Sequence, residues 1–107
     1  MDPSISTWCN IINQLFILEL RTRTLEENDF YRRRFDRIKE LLNEINIYVH
    51  DPLGESYDHT RLDCGGTIQG DTQKPLKIIE VIKPIIYLKS SGGNRLVQPG
   101  VVIIEGK

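Results

Sequence analysis

Residues 76–107 read LKIIEVIKPIIYLKSSGGNRLVQPGVVIIEGK, and the fold class turns on this stretch. Two long apolar runs, 76–89 and 95–107, flank Ser90-Ser91-Gly92-Gly93-Asn94, whose small and turn-forming residues predict a hairpin. Pro84 and Pro99 interrupt the runs. A proline has no N–H to give to a ladder, so each is expected at an edge or a bulge, and the sheet should be irregular.

Upstream of Val49 the apolar spacing is helical instead. Trp8, Ile11, Ile12, Leu15, Phe16 and Leu18 recur at three- and four-residue intervals behind Ser4 or Ser6 as an expected N-cap. Thr24-Leu25-Glu26-Glu27 matches a capping box, which predicts a second helix from there. Tyr31, Phe35, Ile38, Leu42 and Ile45 are spaced four, three, four and three and draw one stripe along that helix. Two amphipathic helices without a third partner leave part of each seam wet. Dimerisation through Tyr31, Phe35, Ile38, Leu42 and Ile45 is therefore expected.

Between these regions, Ile47-Tyr48-Val49 is strand-like and Asp51-Pro52-Leu53-Gly54 has turn chemistry. Residues 58–71 are polar and glycine-rich, with Leu62 and Ile68 as the expected buried side chains. The whole is read as an α+β protein: a helical stem over residues 1–47 and a small β-rich head over residues 48–107.

Composition bounds the function. With 107 residues, 39% of them hydrophobic and 27% charged, the chain has the make-up of an ordinary globular domain. A net charge of −1 supplies no long-range field for a polyanion, so nucleic acid is not an expected partner. The apolar stretch 11–20 is too short to span a bilayer and is interrupted by Asn13, Gln14 and Glu19. Two cysteines, Cys9 and Cys64, do not make a disulfide framework, which suits a reducing cytoplasm.

Three polar constellations invite a chemical reading. His50-Asp51, Asp58-His59 and Asp63-Cys64 hold metal-ligand types, but their spacing fits no strong template and they more often decorate a loop. Cys64 with His50 or His59 could be drawn as a nucleophile pair, yet nothing marks an oxyanion hole or an orienting third group. Arg32-Arg33-Arg34 is the basic cluster, but three consecutive helical residues fan over about 200° and acidic residues are interleaved, so a solvated face is expected. No catalytic set, metal or cofactor is expected.

Three motifs, in this order, resemble the GrpE family, the nucleotide exchange factors of DnaK-type heat-shock chaperones. Residues 35–45, FDRIKELLNEI, look like the family's last bundle helix. Residues 52–58, PLGESYD, are similar to its stretch of Gly, Glu or Gln, Pro, an aromatic and Asp, with Ser56 where the family has Pro. Residues 79–82, IEVI, with 94–104, NRLVQPGVVII, look like its closing hairpin. The resemblance implies a homodimer whose β head wedges open the chaperone's nucleotide-binding cleft and releases ADP, with no chemistry of its own. It implies partner contacts from Arg95, Val102 and Ile104. Pro84-Ile85-Ile86-Tyr87 replaces the family's Gly-Tyr, and Gln98 stands where the family has a second Arg, which removes one charged contact. The alternative is a dimeric interaction or scaffold module that kept this fold.

Overall fold

A computed structural model describes residues 3–107. Helix α1 spans Pro3–Thr22 and α2 spans Asn28–Glu44. Seven strands follow: β1 (Ile47–His50), β2 (Ser56–Tyr57), β3 (Cys64–Gly70), β4 (Leu76–Lys83), β5 (Ile85–Ser90), β6 (Gly93–Gln98) and β7 (Gly100–Gly106). The α+β order agrees with the sequence. Two units emerge, one comprising residues through Tyr48 together with Leu88–Arg95, the other Val49–Tyr87 together with Leu96–Lys107. One division between the units falls after Tyr48. The tip of the hairpin, however, belongs with the helices, which no local composition signals.

Within the first unit α1 and α2 pack on each other. Ile12, Phe16, Leu42 and Cys9 are buried. Glu19 Oε1 of α1 accepts from Lys39 Nζ of α2 at 2.9 Å, a part-buried link between the two helices. The helix ends differ from expectation. Ser4 and Ser6 lie inside α1 rather than capping it. The capping box does not form: Glu27 is the N-cap of α2 with no side-chain cap bond, and the Thr24 hydroxyl donates back to the Arg21 carbonyl at 3.3 Å. Thr22 likewise donates to the Glu19 carbonyl at 2.9 Å. These threonines satisfy the carboxyl end of α1 rather than opening α2, because a hydroxyl can serve either orphan set. α2 stops where Asn46 adopts φ 67°, the left-handed conformation that Asn tolerates better than most side chains.

The long hairpin is cut at both prolines. β4 and β7 pair antiparallel in a four-stranded sheet of order β2-β4-β7-β3, whereas β5 and β6 are neighbours in a three-stranded sheet of order β1-β5-β6. Pro84 and Pro99 sit at the two junctions. The expected irregularity is also present as register shifts between Ile78 and Glu80 and between Val81 and Lys83. β7 lies between β4 and β3 and pairs parallel with β3 from Cys64↔Gly100 through Gly70↔Gly106.

In the second unit the core gathers Ile78, Val81, Ile85, Ile86, Val102, Ile104 and Cys64. Leu62, expected inside, is 88% exposed. Leu62 belongs to the loop before the strand, whereas Cys64, two residues on, opens β3 and takes a buried place. Ile68 is half-buried. The Asp51-Pro52-Leu53-Gly54 turn forms as expected, with Gly54 at φ 84° and the Glu55 amide donating to the Pro52 carbonyl at 3.0 Å.

Gly66 is the tightest point of the β3–β7 pair. A Cβ there would lie 1.9 Å from the Val102 carbonyl oxygen, so any side chain forces the two backbones apart. Gly66→Ala is expected to destabilise the protein by about 2–3 kcal/mol, in the range of overpacked cores. Gly65→Ala, where nothing lies within 4 Å, should cost far less. Urea denaturation of the two variants checks the contrast.

Candidate functional site

The residues that carry charge or nucleophilicity in the second unit converge on Arg61. Its Nε donates to Asp63 Oδ1 at 2.6 Å, and its Nη2 to Glu55 Oε1 at 2.7 Å and to Asp63 Oδ2 at 3.3 Å. Its Nη1 donates to the Ser56 carbonyl at 2.9 Å. Tyr87 Oη adds a contact to Asp63 Oδ2 at 3.4 Å, and His50 Nε2 meets Glu55 Oε2 at 2.5 Å. The guanidinium thus ties the strand before the loop to the strand after it: Ser56 belongs to β2, and the Asp63 carbonyl accepts from the Gly100 amide at 2.8 Å. Every nitrogen of the fork has a partner. Four of the five N–H donors are engaged within the chain, and together they close the loop of residues 55–63.

The electrostatics agree. The hydrogen bond from Arg61 holds the Asp63 carboxyl below its ordinary value. At Glu55 partial burial acts to raise the pKa, but the bonds from Arg61 and His50 together outweigh it and the net shift is downward. The Asp63 bond raises Arg61 further, so this guanidinium stays charged. Cys64 is buried, and that burial pushes its thiol up, away from the thiolate that nucleophilic attack needs. Burial does the same to Cys9. His59 stands edge-on to the Tyr57 ring at 6.0 Å between centroids, while His50 is committed to Glu55. Among the described residues no group of three or more His, Cys, Asp and Glu is placed to hold a metal ion. The residues that suggested a metal or Cys–His site in the sequence are therefore parts of a structural clip and of a loop.

Two of the three residues expected to contact a partner, Val102 and Ile104, lie on the inward face of β7. Val102 and Ile104 are fully buried in the core of the second unit and offer nothing to a partner. Strand side chains alternate, so Val101, Ile103 and Glu105 take the other face. Val101 is exposed and Ile103 half-buried. Register sets Ile103 beside Thr67 and Glu80, and Val101 beside Gly65 and Lys83. Ile79 and Ile82, at the register shifts of β4, are exposed as well. Val101 and Ile103 of β7 are thus flanked by Lys83 and Glu80 of β4 on one side and by Gly65 and Thr67 of β3 on the other, and Ile79 and Ile82 are exposed on β4. Glu105 held the available signal: a charged residue in an otherwise apolar strand marks the solvent parity, and positions 101 and 103 share it.

Arg95 is exposed on β6, in the first unit. Gln98 is turned inward to its own strand junction, where Nε2 donates to the Pro84 carbonyl at 2.9 Å. Of the five expected dimerisation residues, Leu42 is buried, Tyr31, Phe35 and Ile38 are half-buried and only Ile45 is exposed. Much of that stripe is consumed inside one chain. The membrane expectation can be stated in its own terms: no helix among the described residues is long and apolar enough to cross a bilayer.

Acid should loosen the clip. Glu55 and Asp63 have depressed folded-state values, so their contribution is complete above the ordinary carboxylate range near pH 4 and is lost as pH falls through the depressed values. Stability of the wild type should drop from about pH 4 to about pH 2, and Asp63→Asn should flatten that slope while costing about 1–2 kcal/mol at neutral pH. Thermal unfolding followed across this range checks it. Comparisons with family models, curated proteins and solved structures found no match to this chain.

Proposed function

We propose that the chain acts by binding another protein, performs no chemistry itself, and in its narrower form is an exchange factor of the GrpE kind acting on the ATPase domain of a DnaK-type chaperone. The outer face of the four-stranded sheet is the observation that supports binding. Val101, Ile79 and Ile82 lie exposed there with Ile103 half-buried, and Glu80 and Lys83 supply one charge of each sign. Such a face suits a partner that covers the apolar centre and answers the two charges at its rim. The order of motifs in residues 35–104 supports the narrower form, and exposed Arg95 keeps a guanidinium free to fork onto a carboxylate. Exchange demands that the module bind the open nucleotide cleft more tightly than the closed one, because equal affinity would shift nothing.

The broader reading, a scaffold module with a different protein partner, draws support from the burial of Val102 and Ile104 and from the inward commitment of Gln98. One measurement separates the two. A DnaK-type ATPase domain loaded with fluorescent ADP should release it faster when this protein is added. Arg95→Ala and Val101→Asp should each weaken that acceleration by about tenfold or more, as for residues at the centre of an interface. Release that is unchanged by the wild-type protein rejects the exchange reading and leaves the scaffold reading.

A further inference from the structure

β3 is an edge of the four-stranded sheet: β7 lies on one side of it and no described strand on the other. Its free side can be assigned group by group. The Asp63 carbonyl accepts from the Gly100 amide of β7, and the Asp71 amide donates to the Gly106 carbonyl. In a trans peptide unit the C=O and the following N–H point opposite ways, and no described peptide bond is cis. The Cys64 N–H and the Gly70 C=O therefore point away from β7. Between them the two-residue period of a parallel ladder turns the N–H and C=O of Gly66 and Ile68 the same way. Gly66 and Gly70 are exposed, and what a glycine exposes is backbone.

We infer that this edge is a site at which an extended, uncharged segment of another protein adds to the sheet as a further strand. The inference rests on the reading of the chain as a protein-binding module, and names a second surface and the form its partner takes. Hydrogen bonding selects the occupant. A row of donors and acceptors repeating every second residue is matched in full only by backbone in the same extended form. The two edges of the sheet also differ. On the far edge β2 is two residues long, and beyond it β4 has register shifts, carries Glu80 and Lys83 and ends before Pro84, which are the devices that keep a foreign strand off. β3 has none of them. From Cys64 to Gly70 it contains no Asp, Glu, Lys, Arg or Pro, and it pairs with β7 through seven residues without a shift.

Side chains fix the chemistry of the segment. Gly65, Gly66 and Gly70 leave an approaching backbone unobstructed. Ile68 shares the parity of buried Cys64, stands beside Ile104 in register and is only half-buried, so a β-branched or aromatic residue set next to it completes its burial. Thr67 and Gln69, exposed on the other face, suit polar neighbours, and a charge in the middle of the segment would find no opposite charge on β3. A second copy of β3 is a poor occupant. It would set glycines against glycines, without the cross-strand side-chain pairs that stabilise a sheet.

Amide hydrogen exchange of the full chain, followed by NMR, tests this with a capped heptapeptide of alternating threonine and valine as the probe. In the free protein the Gly66 and Ile68 amides should exchange at least about tenfold faster than those of Thr67 and Gln69, which face β7. The peptide should slow exchange at Gly66 and Ile68 by about tenfold or more, and the same peptide methylated at every backbone nitrogen should not. Ile68→Pro removes one outward N–H and leaves the β3–β7 ladder whole, so it should weaken peptide binding by about tenfold or more. Ile68→Ala loses the same side chain but keeps the N–H, and should weaken binding far less. Gly66 and Ile68 amides already slow in the free chain, slowing that grows with protein concentration in the absence of peptide, or exchange unchanged at millimolar peptide would each overturn the inference. If Ile68→Pro does not fold, exchange in the unsubstituted protein still decides. Ile68→Pro should still accelerate ADP release and Val101→Asp should still bind the peptide, so failure of the exchange reading and failure of the edge are told apart.

Discussion

Two missing N–H groups organise the β half of this protein. Pro84 and Pro99 stand at equivalent points on the two arms of one long hairpin, and neither can donate to a ladder. The arms therefore leave one sheet and enter another at that level, with β4 and β7 on one side of the break and β5 and β6 on the other. Pro84 is itself fully buried, and its carbonyl is answered by Gln98 from the opposite arm. The break is thereby satisfied rather than strained. On one side of it, the arms contribute Ile78, Val81, Val102 and Ile104 to the core, and immediately past Pro84 they contribute Ile85 and Ile86. A continuous hairpin would have produced one flat ribbon with a single buried face.

Arg61 is the polar counterpart of that arrangement. A loop of some ten polar residues would ordinarily wander, and here one guanidinium binds Glu55, Ser56 and Asp63 at once. Three donors directed at a carboxylate pair and a carbonyl hold the ends of β2 and β3 at a fixed separation, which lets β3 lie parallel to β7 without a helical crossover between them. The same engagement occupies the residues that the sequence offered for a metal or a nucleophile pair. Asp63 and Glu55 are consumed by the arginine, Cys64 is sealed into the core as a neutral thiol, and His50 leans on Glu55.

In the second unit His50, Glu55, Arg61 and Asp63 are paired among themselves, while Glu80 and Lys83 are exposed on the sheet. The outer face of the four-stranded sheet and the exposed stripe of α1, formed by Trp8, Ile11 and Leu18, lie in different units and differ in character. The sheet face mixes exposed isoleucine and valine with one acidic and one basic side chain, which favours a partner of defined complementarity. The helix stripe is uncharged and repetitive.

Local sequence determined a good deal. Helical spacing before residue 46, the turn at Asp51-Pro52-Leu53-Gly54, the hairpin tip near Gly92-Gly93 and the disruption at both prolines are all properties of a few adjacent residues, and each is present in the structure. Tertiary structure alone decided which apolar side chains became core. In the run Val101-Val102-Ile103-Ile104 every residue is apolar, so alternation within it chooses no face; Glu105 alone hints at the parity, and packing of the sheet buries Val102 and Ile104. The same holds for α1, where two stripes of nearly equal hydrophobicity compete and only packing selects Ile12 and Phe16 over Ile11 and Leu18. Burial belongs to pairs of surfaces, and a single strand or helix carries only half of that information.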